Sequence, residues 1–112
     1  MGIDELFEPE PDPVAWLVNI KTGAKYDIYI GRGSIWGNPY SHLAVSAAEF
    51  QVQTREEAIQ CYRSYILGRP DLLSQLDTLY GKILGCWCVP KLCHGQVLIE
   101  LLWKKLNSRK HL

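Results

Sequence analysis

Short apolar runs alternate with helical repeats along this chain. Residues 14–20 (VAWLVNI) form an apolar run, and residues 26–31 (YDIYIG) alternate large side chains with Asp27 and end on glycine. Both patterns are typical of short β-strands bounded by turn residues. Residues 81–88 (GKILGCWC) are apolar enough to predict a third strand that lies centrally in a sheet. Whether the first two strands pair as a hairpin stays open.

Three further segments have the spacing of amphipathic helices. Residues 54–68 begin with Thr54 and Glu57 in capping-box positions and then place apolar residues along one face. Pro70 begins a second, shorter helix, since proline suits the first helical position. The closing helix is predicted to begin at His94, and its buried side consists of Val97, Leu98, Leu101, Leu102 and Leu106. Further apolar residues widen that face, and we expect them to cover more of the sheet rather than to mediate self-association.

The order of these elements predicts a small single-domain α/β sandwich, with a short sheet of about three to four strands covered by helices. The domain spans residues 14–107. Residues 1–13 hold five acids and three prolines and no base, so they are predicted to form an acidic arm. Residues 108–112 form a basic tail.

Charge and hydropathy narrow the classes of function. The 112 residues include 12 basic and 12 acidic side chains, so no global attraction to nucleic acid or to an anionic membrane is predicted. No apolar run approaches the roughly twenty residues that span a bilayer, and no secretory leader is recognisable. We therefore expect a cytoplasmic protein without a membrane partner, whose four cysteines stay reduced.

The stretch GCWCVPKLCHGQ, residues 85–96, places three cysteines and a histidine between the third strand and the closing helix. In open α/β sheets, ligands gather beyond the carboxyl ends of strands, close to the unpaired NH groups of helix N-termini. This loop is therefore a candidate functional site, and three interpretations of it stay open.

A metal site would use Cys86, Cys88, Cys93 and His94, because thiolate and imidazole ligands suit tetrahedral zinc. The spacing is unusual for zinc, since one arm is Cys-x-Cys on a strand and the other is two adjacent residues. A catalytic site would use Cys93 as the nucleophile, because a helix N-terminus lowers a thiol pKa, with His94 as its proton partner. In the third interpretation, the cysteines are small buried residues and His94 caps the helix.

A second loop, residues 31–39 (GRGSIWGNP), also follows a predicted strand. Arg32 and Ser34 offer an anion clamp and a hydroxyl donor, while Trp36 and Asn38 offer a stacking face and paired hydrogen-bonding groups. The candidate ligand-binding residues are Gly31, Arg32, Gly33, Ser34, Trp36 and Asn38. A tight turn around a buried Trp36 explains the same pattern equally well.

Three segments of the chain, DIYIGRGSIWGNPYSH, TREEAIQCYRSYI and GKILGCWCVPKLCHGQVLIELL, resemble the domain of unknown function 4326, a family found widely in bacteriophages and bacteria. The resemblance covers residues 14–102 and implies a phage-related protein, but it implies no established activity. Its hallmark positions correspond here to Gly31, Arg32, Gly33, Trp36, Gly37, Asn38, Pro39, Cys86, Trp87, Cys88, Pro90, Cys93, His94 and Gly95. The segment CHGQVLIELL is also similar to a Cys-His-Arg helix start in the domain of unknown function 488, in which arginine stands in place of Gly95.

Two functions follow as hypotheses. In the first, the protein binds a nucleotide-like or other phosphate-bearing ligand between the two loops, with thiol-based catalysis by Cys93 and His94 as an extension. In the second, it is a non-enzymatic module that holds zinc or packs tightly at the cysteine loop. That module would contact a host or phage macromolecule through its basic end and the closing helix.

Overall fold

The computed structural model describes residues 13–41 and 50–110, which fold as the small α/β domain that the sequence predicts. The strands are β1 (Trp16–Asn19), β2 (Ile28–Tyr29), β3 (Tyr40–Ser41), β4 (Phe50–Gln51) and β5 (Ile83–Cys86). The helices are α1 (Arg55–Leu67), α2 (Pro70–Leu73) and α3 (His94–Lys110), and 3₁₀ turns cover Ile20–Thr22 and Leu76–Leu79. Residues 1–12 of the predicted acidic arm and residues 111–112 of the basic tail lie outside the described residues.

The main sheet has three strands in the order β1-β5-β2, and both neighbours run parallel to β5. The prediction of a central third strand is therefore confirmed. β1 and β2 lie on opposite sides of β5, so they do not form a hairpin. Gly85 of β5 packs beneath the ring of Tyr26, where an added Cβ would lie 2.7 Å from the ring carbon Cγ.

A second, two-stranded sheet pairs β3 with β4, also in parallel. Tyr40 lies opposite Phe50, and their rings stack with centroids 5.1 Å apart. The sequence did not predict this pair, because two-residue strands are too short to show an alternating pattern.

α1 begins at the predicted cap, where the Thr54 hydroxyl accepts a hydrogen bond of 3.0 Å from the backbone NH of Glu57. The second predicted helix is shorter than expected, since α2 ends at Leu73 and a 3₁₀ turn follows. The hydroxyls of Ser74 and Thr78 donate to backbone carbonyls three residues earlier. Such local bonds compete with the helical pattern, and the bond of Ser74 lies where α2 ends.

α3 crosses the sheet and covers the core. Gly95 lies against the side chain of Leu17 on β1, and the ring of Tyr62 on α1 meets the ring of His94 edge-on at 5.0 Å. Ile99 and Trp103 are half-buried and pack against the core, as expected for a helix that covers the sheet. Within the part of the chain that the structure describes, no helix is long and apolar enough to cross a membrane.

The glycine loop after β2 is anchored on α1. The buried Tyr62 hydroxyl donates a hydrogen bond of 2.6 Å to the carbonyl of Trp36, and burial raises the pKa of Tyr62. Gly37 passes close to the start of the same loop, where an added Cβ would lie 2.9 Å from the Cα of Arg32. The loop therefore has a defined shape that is held from the helix side.

We expect the Tyr62→Phe variant to lower the free energy of unfolding by about 1–3 kcal/mol, because it leaves the buried Trp36 carbonyl without a donor. Tyr80→Phe is the matched control, since Tyr80 is 59% exposed and its replacement should change little. Urea denaturation of both variants measures the difference. An unchanged midpoint for Tyr62→Phe would contradict this account of the loop.

Candidate functional site

A cavity of about 540 Å³ lies at the carboxyl ends of the three parallel strands. Asn19 ends β1, Arg32 follows β2, and Cys88 follows β5, and all three line the cavity. The glycine loop and the cysteine loop therefore meet in one cavity. Its volume falls within the range of small-molecule sites.

The lining of this cavity is cationic. Lys21, Arg32, Arg55 and Lys91 line it, and no Asp or Glu does so among the described residues. The guanidinium of Arg32 donates to the carbonyl of Tyr40, and that of Arg55 donates to the carbonyl of Leu92, each at 3.2 Å. These backbone contacts orient both guanidinium groups without neutralising their charge.

Trp87 supplies the aromatic wall of the cavity and is 49% exposed. Its indole NH donates to the Tyr29 hydroxyl at 3.2 Å, and that hydroxyl donates to the carbonyl of Arg32 at 3.1 Å. This chain of hydrogen bonds joins the two loops and holds the indole in place. Trp87 is not among the ligand-binding residues that the sequence predicts, although its position between Cys86 and Cys88 points it away from the core.

Trp36, by contrast, is 3% exposed and belongs to the hydrophobic core. The stacking face expected of this side chain is therefore not available to a ligand. The arrangement corresponds to the other interpretation of the loop, a tight turn around a buried tryptophan.

The remaining residues of the glycine loop divide between two surfaces. Gly31 lines the cavity, and Gly33 and Ser34 line a shallower depression of about 320 Å³ beside it. Arg32 and Asn38 line both. Ser34 donates its hydroxyl to the carbonyl of Gly31 at 2.7 Å. The buried Asn38 amide donates to the Ala58 carbonyl at 3.2 Å and accepts from the Tyr40 NH at 2.9 Å. Ser34 and Asn38 thus use their polar atoms to shape the loop.

Cys93 immediately precedes α3 and caps it. The NH of Gly95 donates to Cys93 Sγ at 3.4 Å, and the Gln96 side chain accepts from the NH of Cys93 at 3.3 Å. This reciprocal arrangement resembles a capping box. One NH group at the start of α3, that of Gly95, is therefore engaged by a side chain of the protein itself.

His94 lines the cavity but is only 7% exposed. Its Nε2 lies 2.6 Å from the carbonyl oxygen of Ile30, which accepts only, so Nε2 carries the proton. Its Nδ1 faces Cys93 Sγ at 3.7 Å. Burial and the nearby charge of Arg32 lower the pKa of His94, so the ring is neutral at pH 7.

Cys93 lacks the lowered thiol pKa that the helix N-terminus was expected to produce. Hydrogen bonds with Cys86 and Cys88, together with burial, raise its pKa. Cys86 and Cys93 are fully buried, whereas Cys88 is half-buried and lines the cavity.

Across the described residues, no group of three or more His, Cys, Asp or Glu side chains is placed to hold a metal ion, so the geometry does not support the zinc interpretation.

Comparisons with known proteins give a family and two viral relatives. The family model described as "Domain of unknown function (DUF4326)" matches residues 18–104. The chain is 31% identical over 86 residues to an uncharacterized 12.4 kDa protein in the nrdA-td intergenic region of Enterobacteria phage T4, covering 73% of this chain and 72% of the relative. It is 33% identical over 93 residues to uncharacterized protein R718 of Acanthamoeba polyphaga mimivirus, covering 67% and 65%. No solved structure matches significantly.

We expect nuclear magnetic resonance of the His94 ring nitrogens to show that the ring titrates below the pKa of about 6.5 of an exposed histidine, and that the neutral ring carries its proton on Nε2. Because the unfolded chain binds this proton more readily than the folded chain does, the free energy of unfolding falls as the pH is lowered below about 6.5.

A His94→Gln variant keeps a donor for the Ile30 carbonyl but cannot titrate. Its free energy of unfolding should depend less on pH below about 6.5 than that of the wild type, by up to about 1.4 kcal/mol for each pH unit. Equal pH dependence in the two proteins, or a ring proton on Nδ1, would contradict the assignment.

Proposed function

This chain belongs to the family of the domain of unknown function DUF4326, and we propose that it binds a phosphate-bearing, nucleotide-like ligand in the cavity between its two loops. One observation carries the proposal: the described lining holds four cationic side chains and no carboxylate. The chain as a whole has equal numbers of acids and bases, so this local excess is a property of the site.

The geometry of the cations suits a phosphate group. Arg32 comes from the glycine loop, Arg55 from the start of α1, and Lys91 from the cysteine loop, so positive charge approaches from three separate segments. Guanidinium groups bind phosphate oxygens through paired hydrogen bonds, and lysine adds a mobile point charge. Lys21 and Lys91 are exposed and form no ion pair with any described residue, so both ammonium groups are available to an anion.

The aromatic wall of the cavity favours a ligand that carries a nucleoside over one that consists of phosphate groups alone. The indole of Trp87 lines the same cavity as the cations and is oriented by the Tyr29 hydroxyl. Bases of every type stack on such rings, typically with a gain of about 1–3 kcal/mol. A nucleotide could place its base on Trp87 and its phosphates among the arginines and lysines.

We expect the double variant Lys21→Gln/Lys91→Gln to bind inorganic pyrophosphate roughly tenfold more weakly than the wild type, as the loss of two partly screened ion pairs would give. The matched control is Lys25→Gln/Lys82→Gln, which removes the same charge from exposed positions outside the cavity. Isothermal titration calorimetry at low salt measures both. Absence of pyrophosphate binding by the wild type, or equal losses in the two variants, would refute the proposal.

Trp87→Leu tests the nucleoside part of the ligand. We expect this variant to bind adenosine triphosphate about tenfold more weakly while its affinity for tripolyphosphate stays unchanged, because only the base loses its stacking partner. Trp16→Leu is the control, since Trp16 is 46% exposed and lies outside the cavity. A wild-type protein that binds the two compounds with equal affinity would restrict the ligand to phosphate groups.

A further inference from the structure

The three cysteines of the cysteine loop differ in how far their side chains are exposed to the cavity. Cys86 and Cys93 have no exposed surface, while Cys88 is half-buried and forms part of the cavity wall. Cys88 is therefore the sulfur atom that a bound molecule can contact.

The neighbours of Cys88 favour its thiolate form. Cys88 shares the cavity wall with four cationic side chains, one of which is Arg55 of α1. Hydrogen bonding with the neighbouring Cys93 thiol lowers the pKa of Cys88 to about 6 against the opposing effect of burial, and Arg55 acts in the same direction. A partly exposed sulfur in an electropositive environment has the features that activate cysteines in proteins.

Cys93 also lowers the pKa of Cys86 to about 6 through the same kind of hydrogen bond. One S–H group cannot donate to two thiolates at once, and two adjacent thiolates repel each other. Cys86 lies 3.7 Å from the carbonyl oxygen of Val18, to which its own S–H donates. Since Arg55 adjoins Cys88 and the cavity admits water there, we assign the negative charge to Cys88.

We propose that Cys88 is a nucleophile that attacks an electrophilic carbon of an anionic substrate held by the cations of the cavity. This inference rests on the proposed anion-binding function and adds a reaction to it. In the step, the thiolate electron pair of Cys88 forms a C–S bond, and the bond from that carbon to its leaving group breaks. The leaving group departs with that electron pair, and the thiol proton has already passed to solvent.

Iodoacetate and iodoacetamide are suitable probes, because both alkylate thiolates by displacing iodide and only iodoacetate is an anion. The full-length protein is treated at pH 7, and peptide mass spectrometry follows each cysteine with time. We expect Cys88 to be the first cysteine alkylated, ahead of the half-buried Cys61 on α1. Its rate ratio of iodoacetate to iodoacetamide should exceed that of free cysteine by roughly fivefold, the size of one favourable ion pair. Pyrophosphate should slow the reaction.

Variants separate the roles of the two neighbouring thiols. Cys88→Ser should abolish the fast phase, and the matched Cys61→Ser should leave it unchanged. Cys93→Ala should slow alkylation of Cys88 severalfold, while Cys93→Ser, which keeps a hydroxyl donor, should restore part of the rate. Circular dichroism verifies that each variant is folded, and the wild-type measurement stands without them.

The outcomes distinguish this inference from the proposed function. Alkylation of Cys88 no faster than that of Cys61, in a protein that binds pyrophosphate, would overturn the nucleophile and leave anion binding intact. Fast alkylation of Cys88 with no preference for iodoacetate and no protection by pyrophosphate would overturn the anionic substrate and the proposed function together.

Discussion

The parallel pairing of β5 with both of its neighbours is the constraint on which the site depends. Parallel strands end at the same edge of a sheet, so the segments that follow β1, β2 and β5 must emerge side by side. The glycine loop and the cysteine loop are far apart in the sequence, and this pairing brings their first residues to the same edge of the sheet. With an antiparallel neighbour, one of the loops would lie at the opposite edge.

Once the loops meet, burial decides which of their polar groups remain available. A buried polar group must be hydrogen-bonded, and Asn38, Tyr62 and His94 satisfy this requirement with backbone carbonyls of Ala58, Trp36 and Ile30. Asn38 and His94, which the sequence offers as binding and catalytic candidates, therefore hold the loops in place. The groups left for a ligand are those that reach the cavity from its rim, namely the cations, the exposed face of Trp87 and the sulfur of Cys88.

The positions of the ion pairs explain how a chain of zero net charge has a cationic cavity. Several acids of the described chain form ion pairs elsewhere, Glu100 with Arg63, Asp71 with Arg69 and Asp77 with Lys105. These pairs lie along the helices and the turns between them, away from the strand ends. The cations at the cavity are left without carboxylates among the described residues that line it, so the local field favours an anion although the total charge does not.

The sequence by itself determined the elements whose signals are local. The apolar run at residues 81–88 predicted the central strand, and Thr54 with Glu57 predicted the start of α1. The glycine and proline residues at positions 31–39 predicted the loop after β2. Only the tertiary structure decided which member of each similar pair faces the cavity: Trp87 rather than Trp36, and Cys88 rather than Cys93. A local pattern reports how residues alternate within one element. Whether a loop residue is buried depends instead on its contacts with other elements: Tyr62 of α1 binds the carbonyl of Trp36, and Cys93 is held by the first turn of α3.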